Sequence, residues 1–206
     1  MEGSLQCGEP VQSVGFLKPE TVLSARDPTL AKVIASQSAR WPQHPTEDPV
    51  WGLLRIVMAQ QISTAMACRL AERVKAAYPT LVTGSSKPAP ELKSLCKLGL
   101  TQQRARCCLR ILEMSDAIRE HHREGRPLGE ALAGIKGIGP WTLSVFRIMV
   151  LRDTDELPLR DVGLERAIAT AYGPGQRVEI LAEHWRPFRS VACWYLWRTL
   201  GNEQLG

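Results

Sequence analysis

A glycine-rich turn carries the most specific chemical signal in this sequence. Gly137 and Gly139 flank Ile138, and Pro140 follows them. Glycines at such positions allow either a positive φ or the close approach of another backbone, and proline at the first position of a helix costs no helical hydrogen bond. The free N–H groups at the start of that helix can bind a phosphate oxygen. The same spacing also fits a helix corner packed inside a core.

Asp161 is the second candidate. It precedes the helical pattern of Leu164 and Ile168, so its side chain is placed to accept hydrogen bonds from the first N–H groups of that helix. On the local residues alone, this capping role is the favoured interpretation. A capped carboxylate is also fixed in position, where it can stabilise positive charge or orient a water molecule. Capping and chemistry are therefore compatible at this position.

The six cysteines and four histidines show no spacing typical of a metal or cluster site. The sequence has no C-x-x-C pair, and adjacent Cys107 and Cys108 form a poor chelating pair. We therefore expect reduced, mostly buried thiols and no metal ion.

Positive charge is concentrated in the middle of the chain. Residues 51–151 carry 15 basic and 7 acidic side chains, against 4 and 6 before them and 7 and 8 after them. A localised basic surface suits a polyanion such as nucleic acid, although many proteins with other functions are also basic.

The elements that must position these residues are helical. Apolar residues recur at helical spacing, and no run alternates with the period of a strand. The sequence therefore predicts an all-α fold of about ten short helices. Residues 1–26 show no period and are expected to form an N-terminal tail or loop before a core over residues 27–206. Helices are predicted near 28–34, 50–58, 63–74, 91–97, 101–124, 128–132, 141–151, 164–171, 178–184 and 187–200.

The longest apolar run is far shorter than the ~20 residues that span a bilayer, and the N-terminus does not resemble a signal peptide. We expect a soluble, intracellular protein without a membrane partner.

Several ordered segments resemble the helix-hairpin-helix DNA glycosylase superfamily, in its alkylated-base (3-methyladenine, type II) branch. The hairpin LAGIKGIGPWTL is similar to the family's namesake motif, and LPLRDVGL resembles its loop and following aspartate. Three further segments match the family: MAQQIS at 58–63, Gly99 to Ala105, and Trp185 to Arg198. Together the matching motifs cover roughly residues 27 to 200.

The resemblance implies two helical lobes around an active-site cleft, with Asp161 as the catalytic carboxylate. Trp197 would stack on a base flipped out of the duplex, Trp141 would line the pocket wall, and Gln61 would fill the gap in the duplex. The implied DNA contacts come from the Gln-Gln turn and the hairpin: Gln60, Gln61, Ser63, Ile135, Lys136, Gly137, Ile138, Gly139 and Thr142.

The resemblance also implies a reaction type. Bifunctional members place a lysine two residues after the second hairpin glycine, where this chain has Trp141. We therefore expect a monofunctional hydrolase that removes 3-methyladenine and 7-methylguanine from double-stranded DNA and has no lyase activity. We expect a monomer with no iron–sulfur cluster and room for a structural monovalent cation at the hairpin. Two alternatives stay open: a non-catalytic helix-hairpin-helix DNA-binding protein, and a glycosylase for another damaged base.

Overall fold

A computed structural model describes residues 18–45, 47–84, 89–129, 132 and 134–201. The described residues contain no strand, and the all-α prediction is confirmed. The α-helices in these ranges are α1 (Pro19–Arg26), α2 (Pro28–Ala35), α3 (Pro49–Ala59), α4 (Thr64–Ala77), α5 (Leu92–Lys97), α6 (Gln102–Glu113), α7 (Ser115–Arg123), α8 (Pro140–Phe146), α9 (Val162–Tyr172), α10 (Val178–Glu183) and α11 (Arg189–Arg198).

Polar caps start the helices where the sequence predicted them. The Asp27 carboxylate accepts a hydrogen bond from the Leu30 N–H at 2.9 Å, and α2 then begins with Pro28. The Ser63 hydroxyl likewise accepts from the Met66 N–H at 3.4 Å, so α4 begins directly after the Gln-Gln turn. These caps satisfy N–H groups that have no partner inside their own helix.

Two boundaries predicted before the hairpin are wrong. Residues 19–26 form α1 rather than a tail. This helix buries only Leu23, so its period was too weak to detect. The single helix expected over 101–124 is two helices that meet at Met114, where the backbone leaves helical geometry at φ −98° and ψ 7°. Both helices turn apolar residues inward, which hid the break from the sequence pattern.

The helix after the hairpin also differs from its prediction over 141–151. It ends as an α-helix at Phe146 and continues as a π-helical turn, Arg147–Leu151. The expected tail over residues 1–17 and part of the expected helix over 128–132 lie outside the described residues.

The helices form two groups around one continuous core. In the first group α3 is central and packs against α4, α6, α7 and α8. In the second group α2, α9 and α11 pack together, and α1 packs on α2 and α11. The π-helical turn contacts both α3 and α11 and so links the two groups. The cleft between them places the start of α9 opposite α3 and α8.

Thiol burial follows the expectation for the cysteines that the structure describes. Cys107, Cys108 and Cys193 are buried, whereas Cys68 and Cys96 are half-buried. Burial raises the pKa of each of the three buried thiols above its usual range. These three side chains therefore serve as neutral packing groups.

No described helix is long and apolar enough to cross a membrane.

Candidate active site

Three hydrogen-bond donors hold the Asp161 carboxylate at the start of α9. The Leu164 N–H donates to Oδ1, which makes Asp161 the predicted N-cap. The Trp197 indole Nε1 donates to the same oxygen at 2.9 Å, and the Trp141 indole Nε1 donates to Oδ2 at 2.6 Å. Only 8% of Asp161 is exposed. Donors from three helices therefore fix the position of one carboxylate.

The carboxylate lies at the edge of a small apolar pocket. The cavity has a volume of about 110 Å³ and is lined by Ile56, Ala59, Trp141, Val145, Met149, Asp161, Gly163 and Trp197. Gly163 keeps this wall thin, because a Cβ there would lie 3.1 Å from Asp161 Oδ1 and 3.6 Å from the Trp197 ring. An apolar, aromatic chamber with one carboxylate suits a flat ligand that carries or develops positive charge.

A wider mouth adjoins this pocket. It has a volume of about 420 Å³ and shares Trp141, Asp161 and Gly163 with the pocket. The Gln-Gln turn and the segment around Arg160 form its other walls. The mouth is therefore bounded by elements of both helix groups.

Positions 137 and 139 of the hairpin are occupied by glycine for different structural reasons. Gly137 has a φ of +105°, and a Cβ there would lie 3.1 Å from the Cys107 Sγ. The fold itself therefore requires glycine at position 137. Gly139 has an ordinary φ of −108°, and a Cβ there would meet no described heavy atom outside its neighbours within 4 Å. Glycine at 139 leaves open space at the start of α8 for the close approach of a ligand.

Gln60 joins the Gln-Gln turn to the hairpin. Its side-chain Nε2 donates to the Gly137 carbonyl and to the Thr142 Oγ1, at 3.0 Å each. Its own carbonyl accepts a hydrogen bond from the Arg104 guanidinium. Both bonds from Gln60 are internal, so its side chain positions the turn and the hairpin relative to each other.

Apart from the half-buried Gln60 and the two hairpin glycines, the residues predicted to contact DNA fall into a buried set and an exposed set. The side chains of Ile135, Ile138 and Thr142 are buried, with 4%, 6% and 2% exposed, so they support the hairpin from inside. At Ile135 and Ile138, therefore, only backbone atoms can contact a ligand. The exposed members of the set are Gln61, Ser63 and Lys136.

Trp141 and Trp197 both line this pocket, and their indole N–H groups donate hydrogen bonds to the Asp161 carboxylate. The sequence analysis expected both residues in a base pocket but did not foresee these two hydrogen bonds. By contrast, the other tryptophans for which core packing was expected, Trp51, Trp185 and Trp194, are at most 5% exposed.

Sequence reasoning also missed Arg104 as the group that holds the Gln-Gln turn, and Met149 as part of the apolar wall that it forms with Val145. A signal for that wall was present, since positions 141, 145 and 149 follow one another at a spacing of four residues along one helix face. Among the described residues, no group of three or more His, Cys, Asp or Glu side chains could hold a metal ion.

Comparisons with known proteins give a consistent result, although no family model matches the chain. A Mycobacterium tuberculosis protein named "Probable bifunctional transcriptional activator/DNA repair enzyme AlkA" is 32% identical over 201 residues. That match covers 88% of this chain, and the chain spans 40% of the relative's length.

Two solved structures share the fold. Schizosaccharomyces pombe 3-methyladenine DNA glycosylase (Mag1), solved with abasic DNA, superposes with a TM-score of 0.73 at 24% identity, covering 89% of this chain and 96% of its own. Bacillus halodurans DNA-3-methyladenine glycosidase gives a TM-score of 0.64 at 26% identity, covering 92% and 94%.

Proposed function

Because the chain belongs to the alkylated-base branch of the helix-hairpin-helix DNA glycosylase superfamily, we propose that it hydrolyses the N-glycosidic bond of alkylated purines in double-stranded DNA. The substrates we propose are 3-methyladenine and 7-methylguanine. The observation that carries the proposal is the Asp161 carboxylate, held by two indoles at the edge of an apolar pocket.

The carboxylate has the position and charge that this reaction needs. When the C1′–N bond breaks, the bonding electron pair leaves with the base, and positive charge develops on the deoxyribose. A fixed carboxylate beside that sugar stabilises the charge without having to reorganise. Asp161 also orients a water molecule, whose oxygen forms the new bond to C1′ and whose proton passes to the carboxylate or to solvent.

The pocket favours a cationic leaving group. An alkylated purine that is already positively charged becomes neutral as it departs, so it needs little help from a general acid. The aromatic faces of Trp141 and Trp197 attract such a ring by stacking and by cation–π interaction. One carboxylate and an aromatic chamber are therefore a sufficient set of groups.

The reaction we propose stops at hydrolysis. A lyase step needs an amine nucleophile, yet none of the described residues that line the pocket or its mouth is a lysine. Lys136 is exposed in the hairpin turn and lines a different cavity, together with Arg106 and Arg110 of α6. Its ammonium is therefore placed to meet DNA rather than the sugar carbon.

The hairpin would hold the DNA backbone. A phosphate oxygen fits the open space at Gly139, where the first N–H groups of the chain entering α8 are free of side-chain caps. The Gly137 carbonyl accepts one bond from Gln60 and the Ile135 carbonyl accepts one from the Ile138 N–H. Each keeps a lone pair, so these carbonyls still fit the proposed monovalent cation.

We test the proposal with DNA that carries methylated purines. The wild-type protein should release free 3-methyladenine and 7-methylguanine, detected by chromatography, and should leave an unbroken abasic strand. The Asp161→Asn variant should bind the same DNA and release no base above background. Release by this variant at the wild-type single-turnover rate would contradict the role of Asp161. DNA binding without any release by the wild type would favour the non-catalytic alternative.

A further inference from the structure

Arg160 stands beside the candidate catalytic carboxylate in an unusual conformation. Its φ of 61° lies in the left-handed region, which non-glycine residues adopt rarely. Gln61, in the turn that follows α3 of the first helix group, has a φ of 56°. Both side chains are exposed, and both line the same 420 Å³ mouth. Two such residues thus face the entrance to the pocket from opposite helix groups.

The Arg160 guanidinium has no partner within the described part of the chain. It forms no ion pair with Asp161, whose oxygens are occupied by the Leu164 N–H and by the Trp141 and Trp197 indoles. Several other arginines are paired: Arg147 with Glu156, and Arg189 with Asp155. Arg160 is therefore a cation available for a ligand at the entrance.

No contact with the described residues explains an arginine at this position. At a positive φ glycine would be less strained, and the exposed Arg160 side chain makes no hydrogen bond or ion pair with the described part of the chain. A cation near the reacting sugar would also oppose the positive charge that develops there. The backbone strain and the charge repulsion are both explained if a negatively charged group binds the guanidinium while the reaction proceeds.

We propose that Arg160 binds a phosphodiester group of the damaged strand next to the nucleotide that enters the pocket. This inference rests on the proposed function. A base that passes through the mouth leaves its flanking phosphates at the rim, where the planar guanidinium can donate two parallel hydrogen bonds to one phosphate. The hairpin at Gly139 would then hold the strand at one point and Arg160 at another.

The test compares Arg160→Gln with the wild type on duplexes with one lesion. The matched control is Arg177→Gln, because Arg177 is exposed and lies beyond the far end of the 11-residue helix α9, about 16 Å of helix away from Asp161. Loss of one phosphate contact should reduce the slope of log affinity against log salt by about 0.9 and weaken binding about eightfold at 0.1 M salt. The control variant should match the wild type in both quantities.

Neutral methylphosphonate groups locate the contact. Replacing the phosphates around the lesion one at a time should weaken wild-type binding at a flanking position, and the same replacement should have little effect on Arg160→Gln. An unchanged salt slope, or identical methylphosphonate profiles for the variant and the wild type, would overturn the inference.

A second variant separates binding from folding. Arg160→Gly relieves the strained backbone, so its Tm should equal or exceed that of the wild type while its DNA affinity falls as in Arg160→Gln. A fall in Tm together with unchanged affinity would show that Arg160 serves the fold. If the wild type neither binds nor excises, the proposed function fails first. If it does both and the Arg160 variants do so equally well, only this inference fails.

Discussion

Replacing Asp161 by asparagine should disturb the structure as well as the chemistry. Asparagine offers one acceptor oxygen and one NH₂ group, whereas both Asp161 oxygens accept hydrogen bonds. If the asparagine oxygen faces Leu164 and Trp197, its NH₂ faces the Trp141 indole N–H, which lies 2.6 Å from Oδ2 in the wild type. If the amide is flipped, its NH₂ faces two donors instead. At least one donor loses its acceptor in either orientation.

The cost follows from that unsatisfied group. A buried donor without an acceptor costs about 1–3 kcal/mol, and the half-buried position of Trp141 places the value in the lower part of this range, about 1–2 kcal/mol. In a domain of this size, each kcal/mol lowers Tm by about 2–4 °C. We therefore expect Asp161→Asn to melt about 2–8 °C below the wild type. Loss of the charge at the start of α9 adds a few tenths of a kcal/mol.

Removing the Trp141 indole should cancel most of the stability loss that Asp161→Asn causes. In a Trp141→Phe background no donor opposes the NH₂, so adding Asp161→Asn should cost little further stability. A Trp197→Phe background is the matched control, because the clash with Trp141 remains and the full loss should persist. Thermal unfolding of the single and double variants measures both couplings.

The same variants separate stability from catalysis. The double variant Trp141→Phe/Asp161→Asn should be folded at the assay temperature and still release no base. The reasoning is refuted if Asp161→Asn is as stable as the wild type, or if Trp197→Phe restores stability as well as Trp141→Phe does.

Two further predictions concern the hairpin and the second capping aspartate. Gly139→Ala should keep the wild-type Tm and weaken binding to all DNA sequences, because a Cβ at position 139 fits the fold but fills the space for a phosphate. Gly137→Ala should instead lose about 1–2 kcal/mol of stability, because the backbone at position 137 has a positive φ. Equal effects of the two substitutions on Tm would contradict this distinction. For Asp27, burial raises the pKa, but hydrogen bonds from Leu30, Trp185, Tyr172 and Thr29 outweigh it and hold the pKa below its usual 3.8. The stability gained from this ionised carboxylate is present above pH 3.8 and is lost as the pH falls through the lower, folded-state pKa. The stability difference between the wild type and Asp27→Asn, measured by urea unfolding, should therefore narrow below about pH 4, and a difference independent of pH would contradict the assignment.

Local chemistry made much of this fold predictable. The caps at Asp27, Ser63 and Asp161 each bond a backbone N–H three residues later, and that spacing can be read directly from the sequence. The break at Met114 could not be read in this way, because helical periodicity continues across it. Helix starts depend on a few neighbouring atoms, whereas a change of axis between two amphipathic helices depends on the packing of the whole group.

The site was predictable in its members but not in its connections. Trp141 and Trp197 lie 20 and 36 residues from Asp161, and only the packing of α8, α9 and α11 shows that both indoles donate to one carboxylate. Thr142 was expected to contact DNA, yet it faces inward and accepts a bond from Gln60. A residue type indicates which bonds it can make, and its orientation on a short helix decides which of them it makes.

Asp27 and Asp161 show why the surroundings of a carboxylate decide its function. Each caps a helix, each is 8% exposed, and each accepts one backbone N–H and two side-chain donors. At Asp27 the side-chain donors are Tyr172 at the end of α9 and the fully buried Trp185, so the carboxylate is part of the packing between α2, α9 and the segment after α10. At Asp161 the two indole donors instead form the wall of a pocket, and the carboxylate lines both this pocket and its mouth. Two similar capping sites thus serve stability in one case and the proposed chemistry in the other.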